Sequence, residues 1–281
     1  MTNGRLAAAR PFSVTEITTT GQEDTPPPRA TDDRLLDGRL ILRQPARGHR
    51  AGTDAVLLAA AVADRREALI IDIGAGVGTA GLAVALRHPE SELVLIDDDP
   101  AVAAFARENL AANGLAARGR VVVFDVMDRA ARRLSGLAPG SASLVLTNPP
   151  FFVPGCVRRP ADPGRASARV LRASQGRDGA LLTTWLQASL AMLEPGGRFA
   201  IIHRPDALGQ MLAGFEGRLG SVQLMPIYPR ERADAIRLIA VGVKGSRAPL
   251  VLHRGLVLHD ADGRFTPTAE AIHRGAALLD M

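Results

Sequence analysis

The chain contains the tetrapeptide Asn148-Pro149-Pro150-Phe151, whose residue types suit chemistry on an amine. It follows an apolar run, 143–147, that predicts a strand, so two ring-fixed prolines would hold the Asn148 amide at a strand tip. A conjugated amine is a poor nucleophile because its lone pair is delocalised. If the Asn148 side-chain oxygen and the Pro149 carbonyl accept its hydrogens, the nitrogen is drawn towards tetrahedral geometry and can attack an electrophile.

Phe151 adds a π face on which a flipped-out base can stack, and stacking would fix the plane of approach. All four residues of the tetrapeptide are therefore candidate catalytic residues. A strand that ends in a proline turn with a buried phenylalanine has the same sequence, so the choice between the two depends on the rest of the chain.

A glycine-rich turn precedes this tetrapeptide in the chain. The apolar run 68–73 includes Asp72 and passes directly into Gly74, Gly76 and Gly78. Ligands of open α/β sheets bind at the carboxyl ends of central strands. Glycine allows the backbone to take positive φ angles and lets a ligand approach the main chain closely. These four residues are candidate cofactor-binding residues, although a tight turn without a ligand would have the same sequence.

Two further acids end predicted strands. Asp97 lies about twenty residues beyond the last glycine, where a carboxylate can accept hydrogen bonds from ribose hydroxyls. Asp125 ends the next strand and can accept a hydrogen bond from a cofactor adenine, with a helix cap as its alternative role. Asp99, before Pro100, is expected to be an N-cap.

The glycine turn and Asp97 also suit a nicotinamide dinucleotide, whose fingerprint spaces its glycines as GxGxxG. Thr79 occupies the third glycine position here, which disfavours a dinucleotide without excluding it.

Strand-like and helical runs alternate along the chain and predict a parallel, doubly wound sheet. Helices are predicted at 55–63, 79–87, 100–113, 127–137, 180–193 and 206–219, and strands at 68–73, 92–97, 120–124, 143–147 and 198–202. Two further apolar runs, 222–228 and 235–243, leave no room for a crossover helix and should pair as an antiparallel edge hairpin. The predicted fold class is α/β, Rossmann-like, with a mostly parallel seven-stranded sheet.

Residues 1–30 end in a threonine-rich, acidic and proline-rich stretch and are expected to be a disordered leader. Residues 31–281 are predicted to form one domain. It would comprise a hairpin at 33–45 around the Asp37–Gly38 turn, a core at 55–243 and a C-terminal extension at 249–281. The extension should add a strand at 250–258 and a closing helix.

The composition limits the possible classes of protein. The 281 residues are 47% hydrophobic, which is typical of a globular chain, and Cys156 is the only cysteine, which excludes an internal disulfide or a cysteine-based metal cluster. The apolar runs are shorter than the roughly 18 to 20 residues of a membrane span. A cytoplasmic protein with no membrane partner and no metal is expected. The net charge of +5 favours a polyanionic partner.

Six arginines and a single acid, Asp162, lie in the segment that follows the tetrapeptide. Such a segment can hold the phosphates that flank an inserted base, although a solvated loop is the alternative. The candidate RNA-binding residues are Arg158, Arg159, Arg165, Arg169, Arg172 and Arg177. His49 and His203 receive no role, because an amine that has attacked an electrophile becomes a strong acid and loses its proton to water without a general base.

The tetrapeptide and residues 72–78 together resemble the amino-methyltransferases of adenine N6, guanine N2 and glutamine amides. Residues 33–45, 48–58, 193–197 and 244–250 resemble, more specifically, the bacterial family that N6-methylates the adenine beside the anticodon of a valine tRNA. The resemblance extends from about Asp33 to the C-terminus. It implies a class I methyltransferase fold, S-adenosyl-L-methionine as cofactor, and RNA, in particular tRNA, as partner.

The same resemblance places Gly52-Thr53-Asp54 over the methionine part of the cofactor, which makes Asp54 a cofactor-site candidate. An N-cap role for Asp54 is the alternative. Protein glutamine and rRNA guanine remain alternative acceptors because related members share the tetrapeptide. A non-catalytic RNA-binding module with the same fold is the alternative from a different class.

Overall fold

A computed structural model describes residues 30–46, 52–150 and 178–281. The predicted leader, apart from Ala30, lies outside these ranges. Phe151 and the six arginines between positions 158 and 177 also lie outside them.

The chain alternates between strands and helices, as predicted. The strands are β1 (Ala30–Leu35), β2 (Leu40–Pro45), β3 (Leu69–Ile73), β4 (Glu92–Asp97), β5 (Gly119–Val123), β6 (Ala142–Thr147), β7 (Leu193–His203), β8 (Leu219–Tyr228), β9 (Arg237–Lys244), β10 (Val251–Leu252) and β11 (Leu256–Val257). The helices are α1 (Thr53–Ala60), α2 (Thr79–Arg87), α3 (Pro100–Ala112), α4 (Arg129–Leu134), α5 (Asp178–Met192), α6 (Leu208–Phe215) and α7 (Pro267–His273), with a 3₁₀ turn at Pro205–Ala207.

The main sheet has the strand order β10-β8-β9-β7-β6-β3-β4-β5, with β11 also paired to β8. Strands β3 to β7 pair in parallel with one another, whereas β9 runs antiparallel to both β7 and β8. This arrangement confirms the predicted doubly wound sheet and its antiparallel hairpin. Over the described residues the sheet has nine strands rather than the predicted seven, because β10 and β11 pair with β8 beyond the hairpin. Strands β1 and β2 form a separate two-stranded sheet.

The central strands are buried on both faces because helices cover both sides of the sheet, and this burial explains their continuous apolar runs. Ile70 and Leu95 pack on one face with Leu57 of α1 and Leu82 of α2. The opposite face packs against α5 and α6. In the described ranges, no helix is both long and apolar enough to span a membrane.

The C-terminal extension differs from its prediction as one strand over 250–258. Val251 pairs with Gln223 and Leu256 pairs with Ile227, so the extension advances five residues while β8 advances four. The extra residue is accommodated beside Gly255, whose φ is +91° and whose position leaves no room for a Cβ against the Pro226 carbonyl. The extension therefore adds two short strands rather than one.

Other element boundaries also differ from their predictions, including the bounds of α1, α4, β7 and β8. The helix predicted over 206–219 begins as the 3₁₀ turn and ends at Phe215, because Gly217 has a φ of +68° and β8 starts at Leu219. The β1–β2 turn has four residues, since Leu35 pairs with Leu40 and Leu36 joins Asp37 and Gly38 at positive φ.

Candidate active site

A cavity of about 510 Å³ opens at the carboxyl ends of the central strands. Its lining brings together the candidate residues that follow four neighbouring strands. They are Gly74 and Gly76 after β3, Asp97 at the end of β4, Asp125 after β5, and Asn148, Pro149 and Pro150 after β6. The cavity has the size of a small-molecule site, and parallel pairing alone collects these residues at one edge of the sheet.

The glycine turn is tied to the neighbouring strand by its backbone. The Ala75 N–H donates to the Ile96 carbonyl at 2.9 Å. Gly76 has a φ of +58° and a Cβ at this position would meet nothing within 4 Å. Its open side is therefore available to a ligand that approaches the main chain.

Gly78 has a different environment from Gly76. A Cβ on Gly78 would lie 2.7 Å from Leu95 Cδ1, and the residue is not among the described residues that line the cavity. Gly78 is therefore required for close packing of α2 on β4, a role that the sequence pattern did not distinguish from ligand contact.

Asp97 braces the glycine turn from β4. Its Oδ2 accepts the Gly76 N–H at 2.8 Å and its Oδ1 accepts the Asp99 N–H at 3.0 Å. A carboxylate has about four acceptor positions, so two remain for ribose hydroxyls. Asp99 is the N-cap of α3 and accepts the Ala101 N–H, as predicted.

Asp125 lines the cavity and accepts the Met127 N–H at 2.8 Å through Oδ1. The alternative of a helix cap is wrong for this residue, because α4 begins at Arg129 and Asp128 is its N-cap. Asp125 thus presents a carboxylate beside the cavity without being committed to a helix.

Asp72 is a buried carboxyl group in the cavity wall, with 2% of its surface exposed. Its Oδ2 accepts the Gly81 N–H at 2.8 Å. Desolvation raises the pKa of Asp72 to about 7, and the nearby charge of Asp97 adds to the increase. Asp72 therefore titrates near neutral pH.

Asn148 is half-buried and Pro149 is buried at the tip of β6, while Pro150 is exposed. The strand itself is fully buried at Thr147, so the amide projects from a fixed support. All three residues reach the same cavity as the glycine turn.

Asp54 forms an ion pair with Arg237, with 2.7 Å between its Oδ2 and the arginine Nε. The adjacent Ala55, rather than Asp54, lines the cavity. The N-cap of α1 is Gly52, so the N-cap alternative for Asp54 is wrong. Sequence reasoning missed Arg237, because a single arginine within an apolar run gives no signal for a partner on another element.

Trp185 of α5 is a second residue that sequence reasoning missed. It lines the cavity and packs against Gly74, where a Cβ would lie 3.1 Å from its Cζ2 atom. A lone tryptophan in an apolar helix is typical of a core position, and only its place in the sheet reveals contact with the site.

The cavity wall is acidic. Its carboxyl groups belong to Asp72, Asp97, Asp98, Asp99 and Asp125, and no lysine or arginine lines it within the described residues. A sulfonium nucleoside carries positive charge and ribose hydroxyls, which match this set of acceptors. The pyrophosphate of a dinucleotide would instead face like charge. The residues present therefore fit S-adenosylmethionine.

The fold and this site define a class I, S-adenosylmethionine-dependent methyltransferase. Residues 50–159 match the methyltransferase small domain. A solved structure described as a predicted O-methyltransferase from Agrobacterium tumefaciens is 32% identical with a TM-score of 0.66, and the match covers 80% of this chain and 98% of that one. The chain belongs to the S-adenosylmethionine-dependent methyltransferases, and S-adenosylmethionine is its cofactor.

Curated relatives have narrower names. The tRNA1(Val) (adenine(37)-N6)-methyltransferase of Porphyromonas gingivalis strain W83 is 29% identical over 78% of this chain and 84% of the relative. The ribosomal RNA small subunit methyltransferase C of Pseudomonas entomophila is 39% identical, but over only 29% of this chain and 22% of the relative.

Proposed function

We propose that this enzyme methylates the N6 amine of an adenine in tRNA. The observation that carries the proposal is that Asn148 and Pro149 line the same cavity as Gly76 and Asp97. An amide and a carbonyl that accept amine hydrogens thereby lie within one site with the residues suited to the methyl donor. An amine is the acceptor class that this pair of oxygens fits.

In this proposal, the residues of the chain orient the acceptor amine towards the methyl donor. S-adenosylmethionine supplies an electrophilic methyl group on a sulfonium. The Asn148 side-chain oxygen and the Pro149 carbonyl accept the two amine hydrogens, which directs the nitrogen lone pair at that methyl group. With the cofactor bound, the new nitrogen–carbon bond would form as the carbon–sulfur bond breaks, and the methylated nitrogen would then lose a proton to water.

Three features support a nucleic acid base as acceptor. Phe151 offers a π face, and base stacking contributes about 1 to 3 kcal/mol that an aliphatic amide would not gain. The arginines between positions 158 and 177 can contact phosphates. The tRNA1(Val) methyltransferases, named for adenine N6, align with most of this chain, which favours tRNA and adenine.

Guanine N2 in rRNA is the second candidate acceptor. It is favoured by the higher identity to the ribosomal RNA methyltransferases, but that match covers only 82 residues. Protein glutamine is a further candidate, because its amide has the same pair of hydrogens. The Agrobacterium structure is described as a predicted O-methyltransferase, and a hydroxyl acceptor would make no use of two hydrogen-bond acceptors at the strand tip.

The experiment incubates the enzyme and methyl-labelled cofactor with total tRNA, rRNA and protein from a host that lacks the gene. Each fraction is digested and the labelled product is identified. N6-methyladenosine in tRNA is the expected product, and its yield should fall steeply with salt because phosphate contacts release counterions.

Asn148→Ala is the inactive control for this experiment. Label in N2-methylguanosine, in glutamine or in an O-methyl product would replace the proposed acceptor. Cofactor binding without label in any fraction would instead favour the non-catalytic RNA-binding module.

A further inference from the structure

Trp185 is linked by hydrogen bonds to the carboxyl ends of β3 and β6, the strands that precede the glycine turn and Asn148. Its Nε1–H donates to Thr147 Oγ1 at 3.0 Å, and Thr147 Oγ1 donates to the Ile73 carbonyl at 2.8 Å. Ile73 and Thr147 are direct partners in the β3–β6 register. The next residue on one strand is Gly74 and the next on the other is Asn148, so this hydrogen-bond chain crosses the sheet where both functional segments begin.

The indole ring also fixes the glycine turn by direct contact. Trp185 Cζ2 and Cη2 lie 3.1 and 3.2 Å from the position that a Gly74 Cβ would occupy. Both Trp185 and Thr147 are buried, with 6% and 0% of their surfaces exposed, so the polar pair is shielded from water. Shielded hydrogen bonds hold a site more rigidly than exposed ones because water cannot replace either partner.

We propose that Trp185 is a positioning residue for methyl transfer, which sets the separation between the glycine turn and the Asn148 amide. This inference rests on the proposed function of Asn148. Misplacement of reacting groups by about 1 Å can cost about a hundredfold in rate. A residue that contacts both supporting strand ends controls that separation without touching the amine.

A spectroscopic consequence follows from the composition of the chain. Trp185 is the single tryptophan, so it dominates the protein's fluorescence under selective excitation. Because the ring forms part of the cavity wall, binding of S-adenosylhomocysteine should change its emission. This readout needs no acceptor and therefore does not depend on the proposed function.

The test compares Trp185→Phe, Thr147→Val and the double variant in kcat, cofactor Kd and Tm. Trp185→Phe keeps an aromatic ring and loses the N–H, and Thr147→Val removes the hydroxyl. Each single variant should lose about tenfold to a hundredfold in kcat, with Kd within about threefold of the wild type. The double variant should be no slower than the slower single variant, because one hydrogen-bond chain is broken in both.

Phe215→Leu is the matched control, since Phe215 is buried on the same side of the sheet but does not line the cavity. It should lower Tm and leave kcat unchanged well below Tm. If Trp185→Phe behaves like this control, the residue is only structural and the proposal is overturned. If Trp185→Phe does not fold, Thr147→Val tests the proposal by the same criterion: a loss of kcat with Kd near the wild-type value supports it, and an unchanged kcat overturns it.

A wild type that transfers no label would refute the proposed function and overturn the positioning role with it, and fluorescence then tests only whether the indole ring lies against the bound ligand. A saturable change in wild-type emission, with the Kd found by calorimetry, supports the position of Trp185 against the ligand. Unchanged emission at saturating S-adenosylhomocysteine overturns it.

Discussion

Asp97 accepts the backbone N–H of Gly76 at 2.8 Å, which joins the carboxylate at the end of β4 to the glycine turn that follows β3. The side chain thereby holds a backbone segment at positive φ in place. The same carboxylate keeps two acceptor positions that a ribose can use, so we expect Asp97 both to support the shape of the turn and to contact the ligand.

Replacement of Asp97 by alanine should weaken S-adenosylmethionine binding by about 10- to 100-fold, because hydrogen bonds to a charged group contribute about 1.5 to 3 kcal/mol. Calorimetric titration measures the loss. Asp128→Ala is the control, since Asp128 caps α4 and does not line the cavity. That control should lose about 1 kcal/mol of stability and retain its affinity. Equal affinity of Asp97→Ala and the wild type would contradict the ribose assignment.

Gly76→Val should abolish cofactor binding, because the new side chain would occupy the open space beside the turn. The strain of a left-handed residue adds about 1 to 2 kcal/mol of destabilisation. Gly114→Val is the matched control, since Gly114 has a φ of +69°, meets nothing within 4 Å and does not line the cavity. Both variants should lose similar stability, and only Gly76→Val should lose the cofactor. Retained binding in Gly76→Val would exclude this turn from the site.

Asn148→Ala should reduce methyl transfer by about a hundredfold or more while cofactor affinity stays near that of the wild type, because the amide acts on the oriented amine. Single-turnover assays measure the rate and calorimetry measures the affinity. The Asn148→Asp variant retains an oxygen acceptor at the same position and should keep more activity than alanine. A rate within a few-fold of the wild type for Asn148→Ala would refute the assigned role.

Asp72 should make folding stability depend on pH near neutrality. Its folded pKa of about 7 lies above its ordinary value of 3.8, so the folded chain retains a proton that the unfolded chain has released. This group's contribution is therefore most favourable below its ordinary pKa and is lost as the pH rises through 7.

The measurement is the difference in unfolding free energy between the wild type and Asp72→Asn. The unfolding free energy of the wild type should fall relative to that of Asp72→Asn by about 1.4 kcal/mol per pH unit as the pH rises towards 7. Above pH 7 the difference between the two proteins should stay constant. Asparagine keeps an acceptor for the Gly81 N–H, which makes the variant a conservative one. A difference that stays constant from about pH 5 to pH 8 would show that the carboxyl group does not titrate in this range.

The sequence by itself determined the order of the elements and the place of the site along the chain. Strand β4 and helix α2 begin and end at the predicted residues, because their apolar patterns and flanking polar residues are local properties. The predicted strand ends carried Gly76, Asp97, Asp125 and Asn148. Parallel pairing must bring strand ends to one edge, so their approach to a single cavity needed no knowledge of side-chain packing.

Only the tertiary structure decided which partners these residues meet. Gly76 and Gly78 are alike in the sequence, yet one borders open space and the other presses against Leu95. Asp54 pairs with Arg237, and Trp185 bonds to Thr147, each across a large separation in the chain. Such contacts depend on how the helices pack against the sheet, where each side chain contacts residues of several elements. Local periodicity predicts the type of element and its buried face, but it does not predict which residue of another element packs against that face.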